Sequence, residues 1–313
     1  MPFKVTIDDS QTHPSILLSD TTANTQAEIF CFGGLLNSFC IEKDGELLNI
    51  VDAYKSVDDA IAQKNTWFKS CKLSPFACRL SNGKFEFENT KYKIDKFYLG
   101  KNAMHGMVYD AIYNIAETQA TEDFAMVELM YEYKREDKGY PFAFNIKLVW
   151  KLEANNKLSI TSIIENKTNI NIPYCEGWHP YFKLDAPVDN CTLQFDANEM
   201  LELDENLIPT GNFVLNERFT SPTLLKNINL DNCFLLSNIE QPKCVLKGKQ
   251  LQLTITPDKA YPYLQIFTPD HRENIAVENL SAAPDAFNNK IGLLMLEPSK
   301  QYHFTTSYQI EFI

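Results

Sequence analysis

Apolar and polar residues alternate over much of this chain with a period of two. Val127, Leu129, Tyr131 and Tyr133 are spaced by largely charged or polar residues, as are Phe144, Ile146, Leu148, Trp150 and Leu152. The Asn155-Asn156 pair is a turn signal, and the alternation resumes at Leu158, Ile160 and Ser162. The runs Leu251–Thr256 and Leu264–Thr268 repeat the pattern. Such alternation, bounded by Asn, Asp, Gly and Pro, predicts half-buried antiparallel strands. Only Ser56–Gln63 invites a helix: a Ser cap is followed by acidic residues in the first turn. It reads as short and superficial. The turn-rich Asp196–Gly211 stretch reads as a loop. Many strands without alternating helices predict an all-β sandwich or barrel and exclude a βαβ fold. No repeat, low-complexity segment or Pro/Gly/Ser-rich linker divides the chain, so one domain over 1–313 is expected.

Composition narrows the partners. The net charge of -12, with only 29 Lys and Arg, opposes binding to nucleic acid or to an anionic membrane surface. No apolar run reaches the roughly 20 residues that span a bilayer. The start, Met-Pro-Phe-Lys-Val-Thr, lacks the apolar core of a secretory signal. Eight cysteines in 313 residues contain no Cys-x-x-Cys pair. Cys31, Cys40, Cys191 and Cys233 sit among apolar neighbours and read as buried free thiols. Together these predict a reducing, cytoplasmic setting.

The five histidines can be weighed singly. His13 and His271 fall in polar or turn segments and read as surface, and His303 reads as structural in a C-terminal strand. His105 precedes Gly106, which permits close approach by a ligand. His179 is flanked by Trp178, Pro180, Tyr181 and Phe182, and an aromatic-walled imidazole suits a sugar. For both, a core histidine with a satisfied hydrogen bond is the competing reading. Glu278 ends a short apolar strand, where a solvated edge charge is the simpler local reading and a functional base the other. No metal motif, nucleotide-binding glycine pattern or serine-nucleophile elbow occurs, so no metal and no cofactor is expected.

Taken in order, the segments Gly33-Gly-Leu-Leu-Asn-Ser-Phe, Ser74-Pro-Phe-Ala-Cys-Arg79, Asn102-Ala-Met-His105-Gly, Trp178-His179-Pro-Tyr-Phe, Leu230-Asp231-Asn-Cys-Phe and Glu278 followed by Pro284-Asp-Ala-Phe-Asn resemble the aldose 1-epimerase (galactose mutarotase) family. The resemblance implies a large antiparallel β-sandwich of the galactose mutarotase-like supersandwich type. It implies interconversion of α and β anomers of an aldose, with Glu278 as base at the anomeric hydroxyl and His179, as imidazolium, the acid at the ring oxygen. Arg79, His105 and Asp231 would bind the sugar. The partner implied is a small-molecule sugar, and the protein a monomer or homodimer.

Two features depart from the better-known galactose mutarotases: Glu278-Asn-Leu stands for Glu-Thr-Gln, and Met104 stands for Leu. The Gly177-Trp-His-Pro-Tyr-Phe context resembles a divergent branch that includes hexose-6-phosphate epimerases, which leaves the sugar open. A hexose-6-phosphate 1-epimerase would want cations at the pocket rim. Lys72 and Lys183 are the candidates, each with solvated surface lysine as the simpler reading. A non-catalytic carbohydrate-binding protein would not need two histidines and a carboxylate. A glycoside hydrolase would want a second carboxylate.

Overall fold

A computed structural model describes residues 1–313. Strands dominate, and they build three main sheets. An antiparallel meander of Phe3–Asp8, Ser15–Asp20, Thr25–Phe30, Leu36–Lys43 and Glu46–Asn49 forms the first. The largest has nine strands, among them Phe124–Tyr133, Phe144–Glu153, Lys157–Asn166, Gln301–Phe312 and Leu251–Pro257 side by side. An eight-stranded sheet contains Ala197–Leu203, Asp231–Leu236, Tyr263–Phe267, Ile275–Leu280, Gly177–Trp178 and Lys72–Leu73 in that order.

Period-two burial explains the largest sheet. Along Phe144–Glu153 every second side chain is buried and its neighbour is half-exposed, so one face meets the core and the other meets water. The buried face packs on the eight-stranded sheet: Trp150 meets Trp178 edge-on at 5.5 Å, and Phe182 meets Tyr308 at 5.5 Å. Trp150 also donates its indole N–H to the Gly34 carbonyl at 3.0 Å, which ties the meander to the sandwich.

The strand Ile275–Leu280 behaves differently, with all six residues buried. Ile275 and Val277 point into the sandwich core, as do Leu264 and Ile266 on the neighbouring strand. Alternation therefore sends Glu278 and its cross-strand partner Gln265 to the opposite face. There a layer of loops covers them.

Four expectations need correction. Asp196–Gly211 is mostly paired strand: Ala197–Leu203 and Pro209–Leu215 form a hairpin with register shifts, which hid the alternation. The helix Val57–Gln63 is capped by Ser56, whose side chain accepts from the Asp59 N–H, but Val57 and Ala60 are buried against Phe30 and Tyr54. It is a packed element rather than a superficial one. Lys72 is neither a solvated lysine nor a rim cation. It is wholly buried, with Nζ 2.5 Å from Glu176 Oε1 and 4.8 Å from the centre of the Trp178 ring. Tyr261 donates to the same oxygen at 2.5 Å. Burial pulls the Lys72 ammonium below its usual range and pushes the Glu176 carboxyl above its own. Of the four cysteines read as buried, Cys40 is only half-buried. No helix is long and apolar enough to cross a membrane.

Removing one member of a buried pair leaves the other uncompensated. Lys72→Met should lower unfolding free energy by about 3–5 kcal/mol, and adding Glu176→Leu should recover part of that loss. Urea denaturation of the two variants checks this.

Candidate active site

Arg79, His105, His179, Asp231 and Glu278 line one cleft. Each reaches it by a different local device. Glu278 arrives by strand alternation from the centre of the eight-stranded sheet. Asp231 opens the strand Asp231–Leu236 and lies across from Phe267. Arg79 sits on a three-stranded patch, paired with Met104.

His105 follows Met104 in a left-handed conformation, φ 59°, and donates its backbone N–H to the Cys78 carbonyl at 2.9 Å. Gly106 continues left-handed at φ 76°, and a Cβ there would stand 2.1 Å from the Ser74 carbonyl oxygen. A side chain is thus excluded, and the chain turns tightly enough to aim the imidazole inward. His179 is fixed from both sides: its N–H donates to the Cys71 carbonyl at 3.1 Å and its carbonyl accepts from Ser70 at 2.9 Å.

The heart of the site is a buried contact. His179 Nε2 lies 3.4 Å from Glu278 Oε1, and the two residues are 6% and 2% exposed. Exposure this small overturns the edge-charge reading of Glu278. The carboxyl's other near polar neighbour is the Cys78 thiol, 4.0 Å from Oε2. Burial, with the Asp231 charge adding to it and Arg79 opposing, holds the Glu278 carboxyl well above the ordinary carboxylate range. Burial also lowers His179 to about 4. Burial therefore disfavours the imidazolium that the resemblance implies. His105, packed edge-on against His179 at 5.0 Å, is held well below its usual range by burial, then by His179 and Arg79.

Further round the cleft, Arg79 Nη2 approaches Asp231 Oδ2 at 3.8 Å, and Gln265 donates to Asp231 Oδ1 at 2.7 Å. Three polar atoms in this cleft have no protein partner: His105 Nδ1, His179 Nδ1 and Gln265 Oε1. Trp67, Phe68, Phe97, Tyr181 and Phe267 supply the apolar walls.

Sequence reasoning did not single out Gln265, Cys78 or Trp67. A glutamine inside the apolar run Leu264-Gln-Ile-Phe was a usable signal. Trp67 had none, because it follows the helix Val57–Gln63 in an irregular segment. Of the remaining histidines, His271 and His303 are exposed and His13 is half-buried.

The sequence model of the family Aldose 1-epimerase matches residues 14–309. The chain belongs to that family. Protein YihR of Escherichia coli (strain K12) is 28% identical over 238 residues, covering 74% of this chain and 75% of its own. The bifunctional protein gal10 of Schizosaccharomyces pombe is 25% identical over 230 residues, 70% of this chain, and this chain spans about a third (32%) of its length. The galactose 1-epimerase structure from Lactobacillus acidophilus superposes with a TM-score of 0.84 at 19% identity, covering 99% of both chains. A galactose mutarotase-like protein from Clostridium acetobutylicum also gives 0.84 at 19% identity, covering 99% of this chain and 98% of that one. The fold is the all-β, antiparallel galactose mutarotase-like sandwich.

The depressed His179 pKa has a direct readout. In the sugar-free protein its ring should stay neutral from pH 8 down to about 5 and take up a proton near 4. Its ring nitrogen shifts, followed by NMR against pH, check this; titration near the ordinary 6.5 would contradict the burial argument.

Proposed function

We propose that this protein, acting as one unit over 1–313, is an aldose 1-epimerase that converts α and β anomers of an aldose by acid–base ring opening and reclosure. The observation that carries the reading is the buried 3.4 Å contact between His179 Nε2 and Glu278 Oε1 in an aromatic-walled cleft. A binding module would gain nothing from it, because burying two titratable groups together is costly.

Opening a pyranose needs a proton taken from the anomeric hydroxyl and one given to the ring oxygen. Free of sugar, the pair holds one proton between carboxyl and imidazole, and the desolvated carboxyl keeps it. With the sugar bound, transfer of that proton across the contact gives carboxylate and imidazolium, the pair that the reaction uses. Glu278 then takes the proton of the anomeric hydroxyl while His179 protonates the ring oxygen, and the C1–O5 bond breaks. The aldehyde turns about C1–C2, and the two groups return their protons in reverse as the ring closes on the other face. No electrons move and no covalent adduct forms. A base of raised pKa is the stronger proton acceptor, which is the use of burying Glu278.

Arg79 and His105 would steady the ring oxygen or adjacent hydroxyls, and Asp231 with Gln265 would hold hydroxyls further round the ring. Arg79 already faces Asp231, and Lys72 and Lys183 do not line the cleft. A neutral aldose therefore suits the cleft better than a hexose 6-phosphate.

Polarimetry on freshly dissolved α-D-glucose, α-D-galactose and glucose 6-phosphate tests the reading. The protein should speed the approach to equilibrium most for a neutral sugar. Glu278→Gln and His179→Asn should each lower kcat by roughly 10²–10⁴-fold. The free protein works as the singly protonated pair, so kcat/KM should fall on the acid side as His179 takes a second proton near 4, and on the alkaline side as Glu278, whose pKa burial raises, loses the proton of the pair. A Glu278→Gln protein that works at the parental rate would sink the assignment.

A further inference from the structure

One ion pair of this chain is sealed completely, and the acid–base chemistry makes no use of it. Lys72 and Glu176 are each 0% exposed, with Nζ 2.5 Å from Oε1. Replacing such a pair by apolar side chains of similar volume is often neutral or stabilising, so stability alone does not account for it. What a hydrogen-bonded ion pair adds over an apolar cluster is direction, because it fixes distances and angles between the segments that carry it.

Each segment fixed in this way leads to one group of the cleft. Lys72 lies opposite Trp178 in the sheet, and its Nζ stands 4.8 Å from the centre of that ring. Cys71, just before Lys72, accepts at its carbonyl from the N–H of His179, the residue that follows Trp178. Glu176 grips the strand of Glu278 through its backbone. Its N–H donates to Ser281 Oγ at 2.8 Å, and its carbonyl accepts from the Ser281 N–H at 2.8 Å, just past the end of that strand. The second carboxylate oxygen of Glu176 accepts from the Tyr174 hydroxyl at 3.4 Å, and that hydroxyl accepts from Ser74 at 2.9 Å. Ser74 bridges to Gly106, directly after His105, and its carbonyl accepts from the Met107 N–H at 2.6 Å. The charges themselves do not reach the cleft. His179 is lowered by burial, and Glu278 is raised by burial and Asp231 against Arg79, with no part played by Lys72 or Glu176. Their influence on the cleft is geometric.

We propose that Lys72 and Glu176 are positioning residues: their buried ion pair, extended by Tyr261, Tyr174 and Ser74, holds His179 and Glu278 at their 3.4 Å separation and keeps His105 beside them. The inference rests on the aldose 1-epimerase reading for its consequence in turnover, but not for the geometry. Arg79, Asp231 and Gln265 form a separate polar cluster, so loosening the pair strikes turnover before sugar binding.

The double variant Lys72→Met/Glu176→Leu keeps the net charge and most of the volume while removing the directional bonds. It is compared with the parent protein by polarimetry and by NMR titration of the His179 ring, on protein shown by urea denaturation to be folded. Its kcat should fall roughly 10²-fold with KM within about twofold, since a displacement of about 1 Å at a reacting group has that effect. Water admitted to the loosened contact should raise the His179 pKa from about 4 toward the ordinary 6.5. A folded double variant with parental kcat and parental His179 titration overturns the proposal. So does a loss of kcat no larger than the loss of folded protein. Where the double variant does not fold, Tyr174→Phe decides, because it removes one hydroxyl and no charge. It should lower kcat about tenfold at unchanged KM and move His179 in the same direction, and parental values of both overturn the proposal. If the parent protein speeds the mutarotation of no sugar, the aldose 1-epimerase reading fails, and the His179 titration alone decides the positioning.

Discussion

Keeping a carboxyl group dry is the constraint around which this molecule is organised. Glu278 lies in the middle of a six-residue strand that is buried throughout, with no backbone N–H and no hydroxyl aimed at it. An isolated carboxylate in such a place would cost several kcal/mol. Burial accordingly raises the Glu278 pKa, and the near polar group it meets is the imidazole of His179 at 3.4 Å rather than a set of donors. Everything that closes over the strand serves that end: the aromatic walls, the thiol of Cys78, and the rim segment that carries Trp67.

A second layer of order supports the first. Lys72 and Trp178 are paired on adjacent strands of the eight-stranded sheet and face the sandwich interior, while His179, next to Trp178, lines the cleft. The buried Lys72–Glu176 pair, with Tyr261 donating to it, thus sits behind the cleft in a region otherwise filled by apolar side chains. Tyr174 links that group onward, since its hydroxyl accepts from Ser74 at 2.9 Å. Ser74 is the residue against which Gly106 is pressed, so the polar network and the turn that aims His105 share a component.

The strands and the five polar residues of the cleft were legible in the sequence to different depths. Period-two burial is written directly in Phe144–Glu153 and Lys157–Asn166, because each has one wet face. The hairpin around residues 204–208 was missed because register shifts break the alternation there. His105 and His179 stood out through their neighbours, a glycine and a cluster of aromatics. Glu278 did not, because what distinguishes it is a layer of loops from elsewhere in the chain, and local sequence cannot show what covers a strand. Lys72 illustrates the same limit in reverse: a lysine next to a cysteine and a leucine carries no sign that it is sealed in the core with Glu176. Family resemblance supplied the order of the segments, and packing supplied their burial.

The contact between Cys78 and Glu278 joins residues 200 positions apart, and Asp231 meets Arg79 across a comparable span. Closing so long a loop costs more chain entropy than closing a short one. The cleft therefore has no existence as a local motif: no hairpin or excised fragment would reproduce it. Its occupancy by a ligand is in effect a vote on the whole fold, because the residues that line it come from segments spread between Asn65 and Glu278.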